Sequence, residues 1–246
     1  MSTFLLAPSF TDPGQIAARV RAEGYAVLAP EGVAAWCGMP LAALDALRTD
    51  WDDLPADEHL KDGGRYRRRR HACFVVTPAG VASVAHRAHW QPVEYNALHG
   101  GMQRWFAPML AATVAREGWH TLLRALAATA TGLRPTTTRW FVEAHQFRID
   151  TTDGIGRPTP EGAHRDGVDF VAVLLVARAG VKGGETRVFA ADGPRGERFT
   201  LTAPWTLVLL DDARVLHETT PIQPTAEYGH RDTLVITLRA EGFPGG

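Results

Sequence analysis

The chain has 246 residues, 45% of them hydrophobic and 22% charged, with a formal net charge of −1. That length holds one large domain with a sizeable core. The near-neutral charge argues against nucleic acid or an anionic membrane as the general partner. No apolar run nears the roughly 20 residues that a bilayer-spanning helix needs, and Met1 to Phe10 lack the basic and apolar regions of a secretory signal. Two cysteines, Cys37 and Cys73, make neither a disulfide framework nor a four-ligand zinc site. A reducing cytoplasmic location is the expectation.

In chain order, Thr11-Asp12-Pro13 opens a helix that Gly24 closes, and Tyr25 to Leu28 reads as a short strand. Leu41, Leu44, Leu47 and Trp51 are spaced for one buried face, which predicts a second helix from Pro40 to about Trp51. The acidic stretch from Asp52 to Gly64, with Pro55 and Gly63-Gly64, is predicted as a surface loop. Arg65 to His71 is a dense basic run, but apolar Cys73 to Val76 follows directly. It therefore reads as a strand entering a sheet, some arginines solvated and one turned towards a small carboxylate, rather than a nucleic-acid patch. His86, His89 and His99 fit no familiar ligand spacing and read as surface or lid histidines. Pro108 to Gly132 is helical in pattern, with a break expected at Gly118.

From Thr136 the texture changes to strands. Between Thr136 and Asp150, Phe141, Glu143, His145 and Phe147 fall on one side, with Val142, Ala144, Gln146 and Arg148 on the other. Both sides carry polar groups, so one of them faces a polar cavity. Phe170–Val176, Thr186–Ala190, Arg198–Leu201, Trp205–Leu210 and Thr233–Arg239 are further strands between Gly and Pro turns. The fold class expected is α+β, mainly β: a jelly roll with N-terminal and flanking helices. One domain spans 1–246, its helical part about 1–135 and its jelly-roll core about 136–240.

The stretch from Glu161 to Val171 carries His164-Arg165-Asp166 just ahead of an apolar strand. At that spacing in extended chain the imidazole and the carboxylate share a face. His217 follows another apolar strand and completes a 2-His-1-carboxylate set, a pattern suited to iron(II) with open positions. Arg231, opening Arg231-Asp232-Thr233, is suited to gripping a carboxylate. Thr233, on the same side, adds a hydroxyl to that grip.

These motifs resemble the Fe(II)/2-oxoglutarate-dependent dioxygenases, and within them the bacterial free amino acid hydroxylases of the L-isoleucine 4-hydroxylase type. Glu143-Ala144-His145-Gln146-Phe147-Arg148, Gly183-Gly184-Glu185, His217-Glu218-Thr219-Thr220-Pro221 and Arg231-Asp232 all carry the likeness, which covers roughly residues 65–240. It implies a double-stranded β-helix with His164, Asp166 and His217 on Fe(II), and 2-oxoglutarate and O2 as cosubstrates. Arg231 would meet the far carboxylate of 2-oxoglutarate, and ascorbate would serve as an aid to turnover. The implied reaction hydroxylates an unactivated C–H while 2-oxoglutarate becomes succinate and CO2.

A free amino acid substrate needs a carboxylate clamp and an ammonium acceptor. Arg148, Arg165 or one of Arg67 to Arg70 are candidates for the first, and Glu143 or Asp169 for the second. Trp90, Trp105, Phe106 and Trp140 are candidates for an apolar wall. The sequence is compatible with a homodimer. Three rival readings stand at this level: the same cofactors acting on another small metabolite, a non-catalytic jelly-roll binding protein, and a zinc hydrolase on the same three ligands, which would give Arg231 no task.

Overall fold

In the computed structural model, which describes residues 5–96 and 98–245, Asp12 caps the first helical turn. Its carboxylate accepts from Gly14 N–H at 2.8 Å, ahead of a 3-10 turn over Pro13–Gln15. Residues 1–4 of the stretch weighed for a signal lie outside the described residues. Helix α1 (Ile16–Glu23) runs on to Gly24, whose φ of 83° is a left-handed position that favours glycine. β1 (Tyr25–Leu28), α2 (Pro30–Cys37) and α3 (Leu41–Asp45) follow, then a 3-10 turn over Arg48–Asp53. The single helix expected from Pro40 to Trp51 is thus split in two, although Leu44, Leu47 and Trp51 all bury as the spacing required. α2, not expected from the sequence, begins on Pro30 and ends at Gly38 in the usual order of those residues.

β2 (Arg67–Thr77) and β3 (Gly80–Ser83) precede α4 (Ala111–Val114) and α5 (Glu117–Leu133). The break in that helical stretch falls at Ala115-Arg116, not at Gly118. Gly118 lies inside α5, where a Cβ would stand 3.4 Å from the Ala43 carbonyl oxygen, so it serves close approach to α3. The remaining strands are β4 (Trp140–Asp150), β5 (Phe170–Ala179), β6 (Val181–Gly183), β7 (Glu185–Ala190), β8 (Gly196–Thr200), β9 (Leu207–Asp211), β10 (Val215–Thr219), β11 (Ile222–Pro224) and β12 (His230–Arg239). Among the described residues, no helix is long and apolar enough to cross a membrane.

All strand pairs are antiparallel. A seven-stranded sheet runs β1-β9-β5-β12-β4-β2-β3, and smaller sheets run β10-β7-β8 and β11-β6. Together they form a double-stranded β-helix. The large sheet draws β1, β2 and β3 from the first half of the chain, so helices and jelly roll do not divide at residue 135.

Side chains alternate across a strand, and the two faces of the large sheet have separate fates. Trp140, Val142 and Ala144 of β4, Phe170, Ala172, Leu174 and Val176 of β5, and Leu234, Ile236 and Leu238 of β12 pack on the helices. That face holds the main core, against Trp119, Leu122, Leu123 and Leu126 of α5. On the other face Val171 and Leu175 meet Val188, Phe199 and Val215 of the small sheet. Beyond this second core, the inner face is lined by polar side chains of β2, β4 and β12 around a cavity.

Candidate active site

Strand register determines what lines that cavity. On β12 the inward residues are Arg231, Thr233, Val235, Thr237 and Arg239. Opposite them on β4 stand Ile149, Phe147, His145, Glu143 and Phe141 in that order. One strand further, β2 sets Arg67 beside Ile149, Arg69 beside Phe147 and His71 beside His145. The basic run is therefore sorted by period two. Arg67 and Arg69 turn inward and are buried, whereas Arg68 and Arg70 turn outward towards Asp150 and Asp53.

His164, Asp166 and His217 converge at one side of this cavity. Ligand atoms of all three lie within 4.8 Å of one another. The histidines face each other across a two-way backbone pair, His164 N–H to His217 O at 3.1 Å and the reverse at 3.0 Å. His164 Nδ1–H donates to the Gly162 carbonyl at 2.9 Å, which leaves Nε2 with its lone pair free. Nε2 of His164 lies 3.8 Å from Asp166 Oδ1, and Nε2 of His217 lies 3.7 Å from Oδ2. Burial pushes His217 down to about 4, so it is a neutral ligand at neutral pH. Burial also pulls on His164, but the Asp166 and Glu161 carboxylates outweigh it and hold that imidazole above its usual range.

Asp212 shapes the loop that presents Asp166. Its two oxygens accept from the backbone N–H groups of Asp166 (2.9 Å), Gly167 (2.8 Å) and Val168 (3.1 Å). Burial and the neighbouring Asp166 carboxylate push Asp212 up to about 6, against the pull of those N–H groups. Asp212→Ala leaves the three donors without their acceptor. It should lower the unfolding free energy of the metal-free protein by roughly 2 kcal/mol or more. Urea unfolding of the two proteins checks this, and an unchanged midpoint would contradict the role.

Arg231 is 3% exposed, and its Nε and Nη2 have no hydrogen-bond partner. Burial and the nearby Arg178 pull it down to about 10. An unpaired buried guanidinium costs several kcal/mol, a cost that an anion bound beside it would offset. Gly183 and Gly184, with φ of 77° and 67°, form the turn beside it. A Cβ on Gly183 would lie 2.3 Å from the Pro221 carbonyl oxygen, and one on Gly184 would lie 2.9 Å from Arg178 Nη1. The double glycine thus lets this turn close on both neighbours.

A second group of ligand-type side chains sits deeper, at His71, His89, Glu143 and His145. Hydrogen bonding explains it without a metal. Glu143 Oε2 is 2.5 Å from His89 Nδ1 and 3.1 Å from His71 Nε2. Arg69 Nη2 lies 2.7 Å from His145 Nδ1. A guanidinium only donates, so that nitrogen is the acceptor and the proton sits on Nε2, which faces Glu143 at 3.8 Å. Burial pushes His71 down to about 4 and lowers His89 and His145 as well, so the imidazoles stay neutral. Burial opposes ionisation of Glu143, but the surrounding histidines prevail and hold it below the usual carboxylate range.

A model of the family described as 2OG-Fe dioxygenase matches residues 48–237. The chain belongs to that family. It is a 2-oxoglutarate-dependent dioxygenase, and Fe(II), 2-oxoglutarate and O2 are the family's metal and cosubstrates. It is similar to the crystal structure of a bsmA homologue from Methylobium petroleophilum, with 51% identity and a TM-score of 0.92, covering 99% of each chain. The structure of IDO from Bacillus thuringiensis shares the fold at 14% identity and a TM-score of 0.76, covering 97% of this chain and 100% of that one. The Fe(II)/α-ketoglutarate-dependent dioxygenase TqaL does so at 18% identity and a TM-score of 0.70, covering 92% of this chain and 86% of that one. No curated protein matches the sequence. The dioxygenase groups fit the residues present: an open-sided His-Asp-His set, and an unpartnered buried guanidinium in the same cavity for the far carboxylate of 2-oxoglutarate.

The substrate residues expected from sequence separate. Glu143 lines the cavity. Arg148 does not, because even-numbered residues of β4 face the other way. Its Nε and Nη2 donate to Asp232, directly opposite on β12, both at 2.8 Å. Arg165, between two metal-facing residues, turns outward to the Ala213 carbonyl at 3.3 Å. Asp169 accepts from Ala240 N–H at 2.9 Å, behind the loop. Trp140 is core and Trp105 is 57% exposed, whereas Trp90 lines the cavity and Phe106 stacks under Arg69 at 3.5 Å.

His89 and His99 are buried and not on the surface as expected, while His86 is exposed. The stretch from Asp52 to Gly64 is likewise not all surface: Asp57 is buried, 2.6 Å from Arg67 Nε and 3.7 Å from Arg69. Burial works against the Asp57 charge, but the two guanidinium groups hold its carboxyl below the usual range. Asp57, Gln91, Arg104 and Glu161 were not singled out from sequence. Glu161 lies 3.6 Å from His164 Nε2, and its only signal was proximity to the His-x-Asp motif.

Proposed function

We propose that the chain hydroxylates an unactivated C–H of a small free L-amino acid, with 2-oxoglutarate converted to succinate and CO2. The observation that supports it is the charge and hydrogen-bond inventory of the cavity next to the triad. With the metal site and Arg231 set aside, three buried guanidinium groups (Arg67, Arg69, Arg104) face three carboxylates (Asp57, Glu143, Glu161). Arg239, at the half-buried rim, is left to solvent. Nε of Arg69, Nε of Arg104, Nη2 of Arg67 and Oε1 of Glu143 are buried without a partner. Free donors beside one free anionic acceptor suit a ligand with both a carboxylate and an ammonium group. A zwitterion satisfies them without adding net charge to the cavity.

When bound, iron(II) with 2-oxoglutarate and dioxygen supplies the oxidant that converts a C–H bond to C–OH. The chain's own residues do the rest. Arg231 and Thr233 orient the cosubstrate, Arg104 and Arg69 receive the amino acid carboxylate, and Glu143 Oε1 receives the ammonium. The His71–His89–His145 cage fixes that oxygen's direction, so the reacting carbon is held in place rather than found by diffusion. The unpaired buried cysteines Cys37 and Cys73 support a reducing cytoplasm as the setting.

Succinate release measured across free amino acids, their N-acetyl forms and their amides tests the proposal. Stimulation by a subset of the free amino acids, and by none of the blocked forms, is expected. Equal stimulation by blocked forms, or none by any amino acid, would point to another small metabolite. Glu143→Gln keeps the size and removes the charge. It should raise KM for the amino acid by about 10- to 100-fold, the value of a hydrogen bond to a charged group.

A further inference from the structure

Gln91 belongs neither to the triad nor to the groups assigned to substrate, yet its carboxamide joins the two. It is 8% exposed, on the segment whose ends are pinned by His89 and Arg104, each donating N–H to the other's carbonyl at 2.9 Å. The orientation of the amide follows from its neighbours. Asn96 Oδ1 accepts from the His99 backbone N–H at 2.8 Å, so the Asn96 amide nitrogen turns to Gln91 Oε1, at 3.0 Å. Arg104 Nη2 donates to the same oxygen at 2.9 Å. Both partners of Oε1 are donors, so Nε2 is the end that faces Asp166, donating to Oδ1 at 3.0 Å.

We propose that Gln91 is a positioning residue for the metal ligand Asp166, and that Arg104 acts on Asp166 through it. The bond to Gln91 occupies Oδ1 and fixes the rotation of the carboxylate, leaving Oδ2 as the oxygen without a protein donor. Arg104, itself 2% exposed, locks the amide in the one orientation that can donate. Partners behind a metal ligand commonly change metal affinity by about 10- to 100-fold when removed. The role concerns the ligand carboxylate and holds whichever small molecule the cavity takes.

Arg104 allows a test by sign. A positive charge near a cation site repels the cation, so removing it through the electric field alone should tighten metal binding. Removing it as the lock on Gln91 should loosen binding instead. Fe(II) affinity is measured anaerobically by calorimetry, without 2-oxoglutarate or substrate, for the wild type, Gln91→Leu, Arg104→Met and the double variant. Thermal melting of the metal-free proteins is followed alongside.

Gln91→Leu should weaken Fe(II) binding by about 10- to 100-fold. Arg104→Met should weaken it in the wild-type background, and leave it unchanged or tighten it once Gln91 is gone. Should the leucine variant fail to fold, Gln91→Met, unbranched and of similar length, takes its place. Wild-type Fe(II) affinity in a folded Gln91 variant would overturn the proposal. So would an Arg104→Met effect of the same sign and size in both backgrounds.

Discussion

Replacing His164, Asp166 or His217 by alanine is expected to abolish succinate formation from 2-oxoglutarate, with the protein still folded. The three side chains face a cavity and support no apolar core, so their loss should leave the packing of the large sheet intact. Two readouts separate loss of metal from loss of fold. Fe(II) should raise the melting temperature of the wild type, because a ligand at 100 times its Kd stabilises by about 2.7 kcal/mol, and should leave each variant unmoved. The deeper cluster cannot stand in. His145 is committed as an acceptor to Arg69, and Glu143 is shared between His71 and His89. Full turnover in any one of the three variants would refute the triad.

Arg231→Ala is expected to raise the apparent Kd for 2-oxoglutarate by roughly 30-fold to several thousand-fold, since truncating one partner of a buried charge pair costs about 2–5 kcal/mol. Arg231→Lys should fall between, keeping the charge but losing the planar fork. Stability should move the other way. In the cosubstrate-free protein Arg231 is a buried cation with unpartnered Nε and Nη2, so Arg231→Met should melt no lower than the wild type. Weak cosubstrate binding with undiminished stability is the signature of a residue kept for its ligand. An unchanged affinity for 2-oxoglutarate in Arg231→Ala would remove the assignment.

What could be read from the sequence was whatever depends on neighbours along the chain. The grouping of Phe141, Glu143, His145 and Phe147 on one side of β4 followed from alternation alone, although alternation does not say which side meets the cavity. His164 and Asp166 declared themselves by spacing, His217 by its place after an apolar strand, and Arg231 by its place at the start of another. What could not be read depends on register between strands distant in sequence. That His71 lies beside His145 and Arg69 beside Phe147 is a property of β2 pairing with β4, and no local pattern encodes it. Arg148 misled for a related reason. Its type suits a carboxylate clamp, but its parity places it opposite Asp232 on the far face. Asp57, Gln91 and Arg104 sit in loops without periodicity, and the closure of those loops over the sheet brings them to the cavity. His89 and His99 differ from expectation because burial in loops follows contacts and not spacing.

The most direct test is an anaerobic crystal structure of the protein with Fe(II) and 2-oxoglutarate. The expected result is one metal ion bound by His164 Nε2, His217 Nε2 and an oxygen of Asp166, with the far carboxylate of 2-oxoglutarate on Nε and Nη2 of Arg231. Metal held by His71, His89 and Glu143, or a cosubstrate carboxylate seated away from Arg231, would contradict the account.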